Sequence, residues 1–129
     1  MYNVADFIIR IKNASAARRK EVRMPYSNLN KAIAKVLVKQ GFLADIKEIE
    51  EEGHRLLLAG IRFQSRKPVV TDVQIISKPS LRTHMDVAGL AHEQRRDSMT
   101  LIVSTSSGIM SGKDAIKKGI GGELLFKIG

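Results

Sequence analysis

Val4, Phe7, Ile8 and Ile11 recur at the three- and four-residue spacing of one helical face, with Asp6, Arg10 and Lys12 left to other faces. The pattern predicts a helix over 4–14. A basic segment follows, Arg18, Arg19, Lys20 and Arg23 against Glu21, and closes at Met24-Pro25. Ser27 is placed to cap a second helix whose apolar stripe is Leu29, Ile33, Val36 and Leu37, and Gly41 stands where a helix-ending glycine belongs. The period then shortens. Residues 42–49 alternate loosely, Glu51-Glu52-Gly53 makes a turn and residues 56–63 form a second apolar run, which together predict a β-hairpin.

Gln64-Ser65-Arg66-Lys67-Pro68 is a polar connector and the expected boundary between two domains, 1–67 and 68–129. Beyond it the pattern predicts a strand over 69–76, a break at Pro79 and a short strand near 82–87. Residues 89–97 should form a polar loop or short helical turn, and 99–103 a buried strand. Ser111 with Asp114 three residues on fits a helix-capping pattern; the helix should run to about Lys118, where Gly119 and Gly121-Gly122 end it. Residues 123–128 return as a strand. Helices first and antiparallel strands after them make the fold class α+β: N-terminal helices with a hairpin, then a mostly antiparallel half with one short helix.

Composition narrows the function. The 129 residues contain no cysteine, which excludes disulfides and thiolate metal sites and points to a reducing compartment. No apolar run approaches the roughly 20 residues of a membrane span, and Asp6, Arg10 and Lys12 break up the start where a signal peptide would need an apolar stretch; a soluble protein with no membrane partner is expected. Lys and Arg number 22 against 13 Asp and Glu, a net charge of +9, with a pI near 10.1. Such an excess favours a polyanion, because each neutralised phosphate releases condensed counterions. The excess is uneven: residues 1–67 hold 14 basic and 7 acidic side chains, net +7, and residues 68–129 hold 8 and 6, net +2. Bulk attraction should therefore come from the first half, and any recognition by the second must rest on shaped hydrogen bonding.

Enzyme chemistry finds little footing. Gly108 and Gly112 are one residue too close for a phosphate loop, and Asp114 replaces the hydroxyl that would hold magnesium. His54, His84 and His92 lie in three separate segments with no nucleophile elbow. The acidic run Asp45, Glu48, Glu50, Glu51 and Glu52 fits the solvated tip of the hairpin better than a metal site. No cofactor, metal or catalytic residue is expected. Ser104-Thr105-Ser106-Ser107-Gly108 stands apart: four adjacent hydroxyls between a strand and a capped helix offer the hydrogen bonds that phosphates, 2′-hydroxyls and base edges accept or donate. By composition alone it fits an ordinary serine-rich loop better than a binding site.

The tail also carries a resemblance. Ser104-Thr105-Ser106, Gly108-Ile109-Met110-Ser111, Ala115 and Gly119-Ile120-Gly121-Gly122-Glu123 closely resemble the signature of the small-subunit ribosomal protein S eight family. Val4-Ala5-Asp6 with Arg10-Ile11-Lys12-Asn13-Ala14, Pro25 with Ser27, Gly41-Phe42 and Ile76-Ser77-Lys78-Pro79 extend the likeness over nearly the whole chain. The resemblance implies two small α/β domains packed together. It implies primary binding to a helical region in the central domain of small-subunit ribosomal RNA, early in assembly and among neighbouring small-subunit ribosomal proteins. In some bacterial members it includes repression of the protein's own messenger. A cytoplasmic ribosome is the expected location, with an organellar one left open.

Carried over by position, Ser104, Thr105, Ser106, Ser107 and Gly108 would form the RNA-contacting loop with Glu123 beside it. Arg10, Lys12 and Asn13 would add secondary contacts. His84 stands where the family commonly has a tyrosine, and is expected near the RNA with less stacking area but the capacity to take up a proton. Ile9 replaces a frequent threonine, and the ending Phe126-Lys127-Ile128-Gly129 lacks the family's usual terminal aromatic. The rival class is a basic DNA-binding regulator, which would need a recognition helix; the second helix offers only Lys31, Lys35 and Lys39.

Overall fold

The computed structural model describes residues 3–96 and 98–129; Met1-Tyr2 of the chain start and Asp97, last residue of the 89–97 segment, lie outside them. The described chain falls into two units, residues 3–71 and 72–129.

In the first unit, α1 (Asn3–Ala16) buries the predicted stripe of Val4, Phe7, Ile8 and Ile11 completely. The basic segment after it is a strand, β1 (Glu21–Pro25), in which Met24 is buried and its neighbours on either side are exposed. Its few apolar residues hid this alternation behind the charges. Ser27 caps α2 (Asn28–Lys39) by accepting from the Asn30 amide at 2.9 Å, and Ile33, Ala34 and Leu37 are buried, though Leu29 of the predicted stripe stays exposed. The hairpin follows: β2 (Leu43–Glu51) turns at Glu52-Gly53 into β3 (His54–Ile61). β3 is the central strand, with antiparallel β1 on one side and β2 on the other, and it buries Leu57, Ala59 and Ile61 at alternate positions. The predicted connector is itself a minimal hairpin, β4 (Phe63–Gln64) with β5 (Lys67–Pro68), which holds residues 63–68 in the first unit.

The second unit is organised by its last strand. Only β6 (Val73–Ile75) of the predicted 69–76 strand forms, followed by a turn at Lys78–Leu81 and the short β7 (His84–Met85). The polar stretch beyond is a full helix, α3 (Val87–Arg96), anchored by Leu90 alone, which explains its weak apolar signal. β8 (Thr100–Thr105) and β9 (Gly108–Ser111) form a hairpin where the pattern predicts a strand and a loop. Ser111 caps α4 (Gly112–Lys118) through the Asp114 amide at 3.2 Å, as expected. β10 (Gly122–Ile128) runs antiparallel to β8 on one side and to β6 and β7 on the other. Leu90, Leu101, Val103, Met110, Ala115 and Leu124 form the core beneath α3 and α4. The fold class is α+β, as the order of elements predicted.

Beneath α3 lies one more polar pair. Lys127 on β10 is paired with Glu93 at 3.0 Å, their side chains only 5% and 14% exposed. The lysine's hydrogen bond is the main reason the Glu93 carboxyl is held below its usual range, against the opposing effect of burial.

Candidate nucleic-acid interface

The hydroxyl cluster occupies the tip of the β8–β9 hairpin. Thr105 pairs with Gly108, so Ser106 and Ser107 form a two-residue turn, both exposed. Gly108 has φ +112°, a conformation L side chains rarely adopt, and so the turn closes tightly. Thr105 Oγ1 donates to the Gly108 carbonyl at 2.8 Å and accepts from the Ser107 amide at 3.1 Å. Its hydroxyl therefore shapes the turn, while the serines present theirs outward.

Registration across β10 brings the other predicted residues into line. Glu123 is paired with Ser104 of β8 on one side and with His84 of β7 on the other. Directly opposed residues in antiparallel strands share a face, so His84, Glu123 and Ser104 form one row. The next pair, Leu124 with Val103, points the opposite way into the core. The row therefore lies on the sheet face turned away from that core. Two glycines tighten its upper end: a Cβ on Gly121 would sit 2.4 Å from the Met85 carbonyl oxygen, and one on Gly122 would sit 2.3 Å from that of Ser104. Only glycines let β7 and β8 approach β10 this closely.

Glu123 is largely covered: its side chain is 19% exposed and accepts from Arg82 Nη1 at 3.2 Å. Arg82 is missing from the residues that the sequence singles out. Its position just before the β7 segment is visible there, but its partner forty-one residues away is not. His84 is exposed.

The N-terminal candidates divide. Arg10 and Asn13, three residues apart on α1, line an open cleft of about 590 Å³ together with Ala17, Arg19, Val22 and Arg23. Arg10 is tied down there, to Asp6 at 3.1 Å and to the Arg23 carbonyl at 3.2 Å. Lys12 lies off this face and does not line the cleft. Arg19 and Arg23 enter the set because β1 runs beside α1, a pairing that composition could not reveal.

Elsewhere in the first unit, part of the positive charge is paired with negative. Glu48 accepts from Lys31 at 2.7 Å and from Arg55, whose guanidinium lies 3.8 Å over the Tyr26 ring. The Lys31 hydrogen bond, and then that of Arg55, lowers the Glu48 carboxyl. One of the three lysines of α2 is thus bound to the hairpin. Strand β1 separates α1 from α2, so the helices form no helix-turn-helix. Among the described residues no three His, Asp or Glu side chains gather as metal ligands, and no helix is long and apolar enough to cross a membrane.

An exposed hydroxyl turn, a polar sheet row and a basic cleft on a two-unit α+β protein are the features of a small nucleic-acid-binding protein. Comparison with known proteins narrows the class. The family model described as Ribosomal protein S8 matches residues 3–128, and the chain belongs to that family, whose members are ribosomal constituents and not enzymes. It is 38% identical over 124 residues to the small ribosomal subunit protein uS8 of Prochlorococcus marinus strain NATL2A, covering 95% of this chain and 92% of the relative. The counterpart in strain MIT 9515 is 40% identical with the same coverage. That of Acidithiobacillus ferrooxidans strain ATCC 53993 / BNL-5-31 is 37% identical over 123 residues, again 95% and 92%.

Proposed function

We propose that this chain binds small-subunit ribosomal RNA, at a helical region of the central domain, as an early structural step of subunit assembly beside neighbouring small-subunit ribosomal proteins. The observation that carries the proposal is the junction of the Ser106-Ser107 turn with the His84–Glu123–Ser104 row at one end of a single sheet. RNA helices expose 2′-hydroxyls and base edges in a wide, shallow minor groove. A rigid hairpin tip bearing hydroxyls can enter that groove, and an adjoining polar row can discriminate what lies there. The first unit adds attraction through its net +7 and its α1–β1 cleft, with Arg10 and Asn13 as secondary contacts. Repression of the chain's own messenger belongs to the same proposal, since a messenger folding into the same shape would meet the same surface.

The absence of cysteine supplies a clean test. A single Ser107→Cys protein carrying a tethered hydroxyl-radical source should cut a central-domain RNA fragment in one short tract, and Glu52→Cys on the far hairpin tip should leave that tract intact. Cutting spread evenly over the fragment, or equal binding to a random duplex of the same length, would overturn the assignment. A leader segment of the chain's own messenger should compete for the site if repression is retained.

A further inference from the structure

Glu123 sits awkwardly on a surface meant for a polyanion. A carboxylate facing phosphates repels them unless it is neutralised, yet this one occupies the middle of the row, between Ser104 and His84. Arg82 meets it with one nitrogen, Nη1 to Oε2 at 3.2 Å, while keeping its own side chain 47% exposed. The pair is held by backbone on both sides. The Thr83 amide donates to the Oγ of fully buried Ser77 at 2.8 Å, and the Leu124 amide donates to the Thr83 carbonyl at 2.9 Å. The residues that follow Arg82 and Glu123 are thus locked across from one another, and the Gly121-Gly122 approach fixes β10 just before the carboxylate.

We infer that Arg82 is a positioning residue that neutralises and aims Glu123, so that the second carboxylate oxygen accepts a hydrogen bond from the exocyclic amino group of an RNA base. The inference rests on the RNA reading above and adds to it a reader of base identity. An ionised carboxylate is an acceptor only, with several lone-pair directions on two oxygens. One oxygen held by Arg82 leaves the other with a defined direction. The ligand it fits is a nitrogen donor, and the donors that bases display are amino groups: guanine N2 in the minor groove, cytosine N4 or adenine N6 where a base is unstacked. The arginine offsets the repulsion that would otherwise make such a reader costly beside phosphates.

The experiment is an amino-group scan of a helical central-domain RNA fragment, replacing guanine by inosine, adenine by purine and cytosine by 2-pyrimidinone one position at a time. For the parent protein, one deletion should weaken binding about tenfold, the scale of one charge-assisted hydrogen bond. Glu123→Gln and Arg82→Gln should each bind the intact fragment about tenfold more weakly and lose sensitivity to that deletion. The double variant should bind no more weakly than either single one, and Arg82→Lys should recover part of the loss. The salt dependence of Arg82→Gln should match the parent's, and its unfolding midpoint should be unchanged.

A slope of log K against log salt lower by about 0.9 in Arg82→Gln, with sensitivity to the amino deletion kept, would make Arg82 a phosphate contact and overturn the inference. If Thr105→Val weakens binding but Glu123→Gln does not, the RNA reading stands and the inference falls. If neither substitution weakens it, both fall.

Discussion

The two units differ in their ion pairs, and the second holds one whose partners are both largely buried. In residues 3–71 the pairs Arg10–Asp6, Arg23–Glu51 and Lys31–Glu48–Arg55 lie at the surface, with at least one partner substantially exposed in every case. In residues 72–129 the Lys127–Glu93 pair is buried beneath a helix, and Glu93 also receives Arg96 at 3.0 Å. Exposed pairs are screened by water and salt and add little to stability. Buried charges must be paired, and removing one partner strands the other. The first unit can thus carry a large excess of positive charge without being built on it. The second carries a small excess and holds one of its ion pairs in its interior. On the proposed reading, attraction and discrimination are divided between them.

The sharpest way to break this contrast is Glu93→Gln, which takes the Glu93 charge away from the buried Lys127 ammonium. The second unit should lose about 3 kcal/mol of stability, read by urea denaturation, and Glu93→Gln with Lys127→Met should recover much of it. The matching change in the first unit, Glu48→Gln, should leave the unfolding midpoint where it is. Equal losses in both variants would erase the distinction.

Next in size is Thr105→Val. Valine keeps the shape but loses both hydrogen bonds that close the Ser106-Ser107 turn. Binding to the cognate RNA fragment should weaken by roughly 1–2 kcal/mol, and binding to random duplex should not change. Uniform weakening would move discrimination out of the second unit.

The first unit's share is read from salt. Replacing Arg18, Arg19 and Lys20 with glutamine should weaken binding to cognate and random RNA alike. The slope of log K against log salt should fall by up to about 0.9 for each phosphate that is no longer neutralised. An unchanged slope would place the attraction elsewhere.

The smallest effect is in pH. Glu93 has its carboxyl lowered in the folded state by Lys127 and then Arg96. A lowered carboxyl contributes stability above the ordinary glutamate value, about 4.3, and that contribution is lost as pH falls through the folded value. Acid unfolding of the parent should therefore be steeper below pH ~4 than that of the Glu93→Gln, Lys127→Met protein. Parallel profiles would show that the pair does not titrate with folding.

Much of the architecture was legible because it rests on period and punctuation. The Val4–Ile11 stripe, the Ser27 and Ser111 caps, the acidic hairpin turn and the final strand all stand where pattern placed them. What escaped were elements whose signal lies outside their own residues. Helix α3 has a single buried anchor, Leu90, so its hydrophobic period is barely expressed. Strand β9 is four residues long and hidden in a serine-rich stretch that reads as loop. The hydroxyl loop was found from its composition and its family signature, but the internal duty of Thr105 needed the turn geometry. Arg82 became visible only through its partner, Glu123, because a pairing across forty-one residues leaves no local trace.

The strand that organises the second unit is also the latest of its elements to be made. β10 supplies the pairing partner of β6, β7 and β8 and carries Glu123. During synthesis the first unit can close its own sheet while the second still lacks its spine, since domains fold as units and the N-terminal one comes first. A nascent chain stopped before residue 122 would thus be attracted to RNA yet unable to discriminate among RNAs. On the reading proposed above, competence to recognise a target would arrive with the emergence of residues 122–128, which complete the sheet and bring Glu123 into its row.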